Sequence, residues 1–370
     1  NITNVPNYYG QWPQPRDKNM TTIHCLGSGL VGSFVIKELL SEGMKINVVD
    51  IEKKTHHIEH DLVTIHVKDA YTYCQEITNT NDLFINMLPG SLGHKVTKLL
   101  VSKAKKIVDL SFSENTPEVL HKSAMKSGAK VLWDVGIAPG FSNMLISYAA
   151  RIGEGIVNAE VRVGGNPIET DEKWSYMAPF SPNDVIAEYT RPARIIKDRK
   201  ICILPALSEI HKINVKQRGI MEAFLTDGLR SLLYTIPAND MNEYTVRWPG
   251  HIQKFIKERN AGILDLEELI KKWKFDAKRK EFTWMEIKVE CNNGEKMSWT
   301  IYDEGMNGDS SMARTTGLVT SSCIKQWLRD ENLISEGVHP PESLSNEVIF
   351  NVLQTLRDEG VIIEGPDIKF

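Results

Sequence analysis

After a polar opening stretch, the chain alternates short apolar runs with longer segments of helical spacing. Runs at 22–26, 45–49, 62–67, 83–88, 106–110 and 130–134 read as strands buried on both faces, because covered strands lose the polar–apolar alternation of half-exposed ones. Between the first two runs, Leu30, Val31, Phe34, Val35, Leu39 and Leu40 recur at helical spacing, and Gly43 follows as a C-cap. Thr116, Pro117 and Glu118 supply an N-cap, a first helical position and a first-turn acid, which marks a second helix start. This repetition predicts a doubly wound parallel α/β domain over 20–144, with right-handed crossovers.

From about residue 145 the pattern changes. NAEVRVGG reads as a strand, and FTWMEIKVECNNGEKMSWTIYDEG alternates around an Asn-Asn-Gly turn as an antiparallel hairpin. Helical segments are expected at 184–190, 219–232 and 265–274. Together these predict a second, α+β domain over 145–314.

Composition narrows the class only a little. The 370 residues are enough for two or three domains, with 41% hydrophobic and 25% charged residues. A net charge of -4 offers no basic footprint for nucleic acid, and no run is long and apolar enough to be read as a membrane span. Five scattered cysteines without a CxxC pair read as reduced thiols of a cytoplasmic protein. Residues 1–19 read as a loose extension.

The chemistry starts at GSGLVG, residues 27 to 32, which follows the first strand and opens the first helix. Gly27 allows the tight turn, Gly29 lets phosphates approach the backbone, and Gly32 lets the helix pack on the sheet. Leu30 and Val31 complete a loop whose helix N-terminus would face a pyrophosphate. Asp50 closes the second strand, INVVD, at the distance expected for an acid that accepts from the adenosine ribose diol. That favours NAD, although Lys53 and Lys54 just beyond leave room for NADP. A Rossmann domain is the fold these features describe. Two further strand ends carry candidate cofactor contacts: Leu88 and Pro89 in NMLPG, and Asp109 and Ser111 in DLSF. DVGIAPGFSN, 134–143, is the expected exit to the second domain. His56 and His60 stand at a helical metal-ligand spacing, but at the adenosine end they read as a solvated polar face, and no metal is expected. In the second half EYTRPAR, TDGLRSL, RWPGH and SSMARTTG each contribute an Arg suited to a substrate carboxylate.

These motifs, in this order, resemble the saccharopine dehydrogenase-like family, and within it the L-lysine 6-dehydrogenases. GSGLVG, INMLPG, VDLSF, DVGIAPGFSN, SPNDVIAEYTRPAR, TDGLRSL, RWPGH, SSMARTTG and VHPPE carry the resemblance from Thr22 almost to the C-terminus. Saccharopine reductases typically place acids in a GLDPGIDH loop where this chain has Ala138 and Ser142. The resemblance implies a Rossmann domain, a catalytic domain with a mixed sheet, a C-terminal segment (315–370) returning to the Rossmann domain, and a homodimer. It also implies NAD-dependent oxidation of L-lysine at Cε, with release of ammonia and a semialdehyde that cyclises. Such chemistry asks for a base and a carboxylate clamp. His251 is the preferred base because histidine titrates near neutrality, with Asp227 as its rival. Arg230 and Arg247 are the expected clamps, and Thr315 and Thr316 the expected helix N-terminal donors. A saccharopine or carboxynorspermidine dehydrogenase, or a non-enzymatic NAD-binding regulator, remain the alternatives.

Overall fold

The computed structural model describes residues 21–54, 58–78, 81–103 and 105–370. The 1–19 extension and His56 therefore lie outside the described residues. Of the seven parallel strands that the described residues give the first sheet, six lie in the first third of the chain: β1 (Ile23–Leu26), β2 (Ile46–Asp50), β3 (Val63–Val67), β4 (Leu83–Asn86), β5 (Lys106–Asp109) and β6 (Lys130–Trp133). Their spatial order is 3-2-1-4-5-6, so a crevice opens beyond the carboxyl ends of β1 and β4, where the winding reverses. The apolar runs are continuous because both faces are buried. Cys25, Val48, Ile85, Val108 and Leu132 pack on one side, while Leu26, Val49, Phe84, Ile107 and Trp133 pack on the other. The doubly wound Rossmann sheet is as expected.

The second sheet holds β7 (Ile156–Pro167), β8 (Ala193–Lys197), β9 (Lys200–Leu204), β10 (His211–Val215), β11 (Gly219–Leu225), β12 (Asp240–Arg247), β13 (Glu281–Cys291) and β14 (Lys296–Asp303). It runs 10-11-12-7-13-14, with β8 and β9 as a hairpin beside β12. β12 and β7 are parallel and the other neighbours along this path are antiparallel, so the sheet is mixed. The β13–β14 hairpin turns at Asn292-Asn293-Gly294, as its alternation predicts.

Some elements differ from expectation. The stretch 219–232 is not one helix: its first half is β11, hydrogen-bonded to β10 and β12. Met221, Ala223 and Leu225 face one apolar cluster and Phe224 another, so burial on both sides erased the strand period. The helix His251–Asn260 was not foreseen, because it follows directly on the RWPG turn. The C-terminal segment is more than helical. Gly337–His339 extends the Rossmann sheet beside β6, and Ile362–Glu364 extends the second sheet beside β14. The expected boundaries at 144 and 314 fall within the helices Phe141–Ile152 and Ser311–Arg329, which carry the chain between the two domains. Among the described residues no helix is long and apolar enough to cross a membrane.

Candidate active site

A cavity of about 1020 Å³ extends from the GSGLVG loop to β7, β12 and the loop that follows β11. On the Rossmann side its lining includes Gly27, Gly29, Leu30, Val31, Gly32 and Asp50. Leu88 and Pro89, after β4, lie along the same wall. Gly27 turns with φ +89°, and a Cβ on Gly32 would come within 2.8 Å of the Gly27 carbonyl, so both glycines serve the fold. Gly29 differs. A Cβ there would meet nothing within 4 Å. Packing therefore does not require glycine at 29, and the loop keeps open space above the helix N-terminus.

Asp50 accepts from the Ser28 amide (3.0 Å) and hydroxyl (2.6 Å), and pairs with Lys54 at 2.6 Å. Burial pushes its carboxyl up, but the Lys54 ammonium and the Ser28 hydroxyl together hold it below the usual carboxylate range. Asp109 and Ser111 do not line the cavity. The Asp109 carboxyl turns inward, accepting from the Ser111 amide (2.8 Å), the Ser111 hydroxyl (2.6 Å) and Thr97 (2.6 Å), and burial pushes it up to about 6. These two residues brace the loop after β5.

The five catalytic candidates separate. Asp227 lines the cavity, but Arg194 holds it bidentately at 2.8 and 2.9 Å. Arg247 also lines the cavity. Its Nη2 pairs with Glu188 at 2.7 Å, its Nε donates to the Tyr189 hydroxyl at 2.8 Å, and its plane lies over Tyr176. Arg230 is not a free clamp. Its fork is taken by Asp134 (2.6 and 3.3 Å) and the Ser113 carbonyl (2.6 Å), which ties the second domain to two Rossmann loops.

His251 is the clearest departure from expectation. It is buried behind Arg247 and does not reach the cavity. Nδ1 lies 2.8 Å from the Trp174 carbonyl, which only accepts, so Nδ1 carries the proton; Nε2 then accepts from Tyr189 at 2.8 Å. Burial, with the Arg247 cation beside it, drives its pKa down to about 3. A neutral imidazole with both nitrogens engaged orients Tyr189 and thereby Arg247. The helix-donor expectation also changes: Thr315 and Thr316 lie in the second turn of the helix Ser311–Arg329, past its open amides. Thr315 bonds back to the Ser311 carbonyl, whereas Thr316 lines the cavity and accepts from the Ile137 amide at 3.4 Å.

Three acids that line the cavity, Asp184, Glu188 and Glu243, were not singled out from the sequence, whereas Arg191, also in the lining, belongs to the EYTRPAR motif expected to offer an arginine to a carboxylate. Glu243, Thr245 and Arg247 stand at every second position of β12 and share its cavity face. Polar residues alternating with Tyr244 and Val246 were the available signal. Asp184 accepts a long bond, 3.4 Å, from the Gly90 amide and is also hydrogen-bonded by the Ser181 side chain, while burial pushes its carboxyl up. Arg191 Nη1 is buried without a hydrogen-bond partner, 3.9 Å from Asp227. Three of the acids lining this end are thus taken by arginines: Asp134 by Arg230, Glu188 by Arg247, and Asp227 by Arg194. Among the described residues Glu243 and Asp184 have no such partner, and Arg191 Nη1 keeps a donor to spare.

A Rossmann sheet and a second mixed-sheet domain that together line one cavity define a two-domain oxidoreductase architecture. The chain belongs to the saccharopine dehydrogenase family: the model for the saccharopine dehydrogenase C-terminal domain matches residues 136–361. Mitochondrial alpha-aminoadipic semialdehyde synthase of Bos taurus is 27% identical over 188 residues, 48% of this chain and 20% of that protein. The Arabidopsis thaliana synthase is 23% identical over 140 residues, 36% of this chain and 13% of that protein. The match thus spans a fifth or less of the length of these relatives. Among solved structures, apo saccharopine dehydrogenase (L-Glu forming) from Saccharomyces cerevisiae has a TM-score of 0.72 at 15% identity, covering 94% of this chain and 100% of that one. Homospermidine synthase from Legionella pneumophila, in complex with NAD, has a TM-score of 0.65 at 13% identity, covering 94% and 91%.

Proposed function

We propose that this protein is an NAD-dependent dehydrogenase that oxidises L-lysine at Cε, yielding ammonia and 2-aminoadipate 6-semialdehyde. The observation that carries the reading is the charge balance of the cavity. Two acids without an arginine partner, Glu243 and Asp184, and one guanidinium with an unpartnered nitrogen, Arg191, match a substrate with two amines and one carboxylate. Lysine has that inventory. Saccharopine brings three carboxylates to the same cations, and a polyamine leaves Arg191 without a partner. NAD would lie along Gly27–Gly32 with its ribose diol on Asp50, and supplies the hydride acceptor when bound. In this reading Arg191 holds the α-carboxylate, Arg247 and Glu188 wall the pocket, and Thr316 positions the loop at Ile137.

The test is NADH formation against lysine, ornithine, saccharopine and polyamines, with ammonium assayed alongside. One ammonium per NADH with lysine alone is expected. Turnover only with saccharopine would replace this reading with that of the bulkier substrate.

Two variants probe the cofactor half. Gly29→Val fills the open space above the helix N-terminus without meeting protein atoms, so it should remove NAD binding while leaving the unfolding transition in place. Calorimetry showing unchanged NAD affinity would move the pyrophosphate elsewhere. Asp50→Ser should relax the preference for NAD over NADP, because it removes the carboxylate that repels a 2′-phosphate. Unchanged kcat/KM ratios for the two cofactors would count against Asp50 as the selector.

A further inference from the structure

We infer that Glu243 is the catalytic base that removes the proton from the substrate ammonium, a role that rests on the amine-oxidation reading above. The carboxyl faces the cavity from β12, in a residue only 5% exposed, and makes no side-chain hydrogen bond to any described residue. Its place is built into the chain opposite. A Cβ on Gly228 would lie 1.7 Å from Glu243 Oε1, so glycine in TDGLRSL admits the carboxyl to the cavity wall.

The charges around it come from several elements. Glu188 on the helix Pro182–Thr190, Asp227 after β11 and Asp134 after β6 oppose its ionisation, and Arg230 after β11 favours it. Burial comes first among the causes, and with these like charges it pushes the Glu243 carboxyl up to about 8. A base in that range is suited to work near neutral pH. Of the candidates for the role, His251 is shut away and neutral, and Asp227 is held by Arg194. In the step itself the amine N–H bond breaks and an O–H bond forms on Glu243. The nitrogen keeps the electron pair, which would help expel hydride from Cε when bound NAD supplies the acceptor.

Glu243→Gln is nearly isosteric with the protonated acid, so the fold should persist. Between the ordinary glutamate range and about 8 the folded wild type holds a proton that the unfolded chain has lost, so its stability should fall as pH rises through that window. The variant should lose this contribution to the slope. With whichever amine the screen shows to be oxidised, kcat of the variant should drop roughly 100- to 10,000-fold, with KM little changed. The wild-type rise in kcat/KM through about 8 should vanish in the variant. Calorimetry of lysine binding at neutral pH, in buffers of different ionisation enthalpy, gives a reading without turnover. Lysine should expel a proton from the wild type and none from the variant. A variant that keeps kcat and the wild-type pH limb, or equal proton release by both proteins, would overturn the role of Glu243. Oxidation of a different amine with the Glu243 effects intact would overturn the lysine reading alone.

Discussion

Arg230→Ala should lower the stability of the protein by about 3–5 kcal/mol, the range for breaking a buried ion pair from one side. The guanidinium is 1% exposed and its charge is met by Asp134, itself 3% exposed. Both lie where the second domain meets the Rossmann loops, and Nη1 also satisfies the Ser113 carbonyl. The guanidinium lies over the Phe112 ring at 4.5 Å and near that of Trp133 at 5.4 Å. Truncation removes all of this at once and strands a buried carboxylate. Asp134→Asn in the Arg230→Ala background should recover part of the loss, because it removes the stranded charge. Urea unfolding monitored by tryptophan fluorescence reads both effects. A loss below about 1 kcal/mol for Arg230→Ala would mean that water reaches the pair and that the bridge adds little.

That residue also shows what the sequence could and could not convey. The Rossmann strands were legible because two buried faces make an unbroken apolar run, and the glycine loop because its spacing reflects backbone geometry. The second domain was legible only where one face is wet, as in the β13–β14 hairpin. β11, covered on both sides, imitated a helix. The candidate site was half legible. Residue types told which groups are able to hold an anion or move a proton, but the assignment of each arginine depends on partners distant in the chain. Arg230 meets Asp134 across 96 positions, and Arg194 meets Asp227 across 33. Once those pairs form, the residues left over are Arg191, Asp184 and Glu243, none of which stands out alone. His251 misled for a related reason: its chemistry fits a base, but Trp174 and Tyr189 fold over it and engage both nitrogens, and burial beside Arg247 leaves the ring too weakly basic for the role.

Arg191→Ala should reduce kcat/KM for lysine by about 3 kcal/mol, on the order of 100-fold, as expected when a carboxylate loses its charged hydrogen-bond partner in a buried pocket. The side chain is positioned for that task. Its Nη1 is buried and unpartnered, it stands 3.9 Å from Asp227 without closing a hydrogen bond, and its plane lies 5.7 Å from the Phe112 ring centroid. Asp227 is already satisfied by Arg194, so Arg191 retains donors that an incoming carboxylate can use bidentately. Cadaverine, which is lysine without the carboxylate, makes the test specific. The wild type should oxidise it poorly, and Arg191→Ala should oxidise it no worse than the wild type does. Arg191→Lys should recover only part of the lysine activity, because an ammonium supplies charge without the planar fork. An equal loss toward lysine and cadaverine in Arg191→Ala would assign Arg191 to the shape of the pocket and return the carboxylate to Arg247, the other guanidinium that lines the cavity.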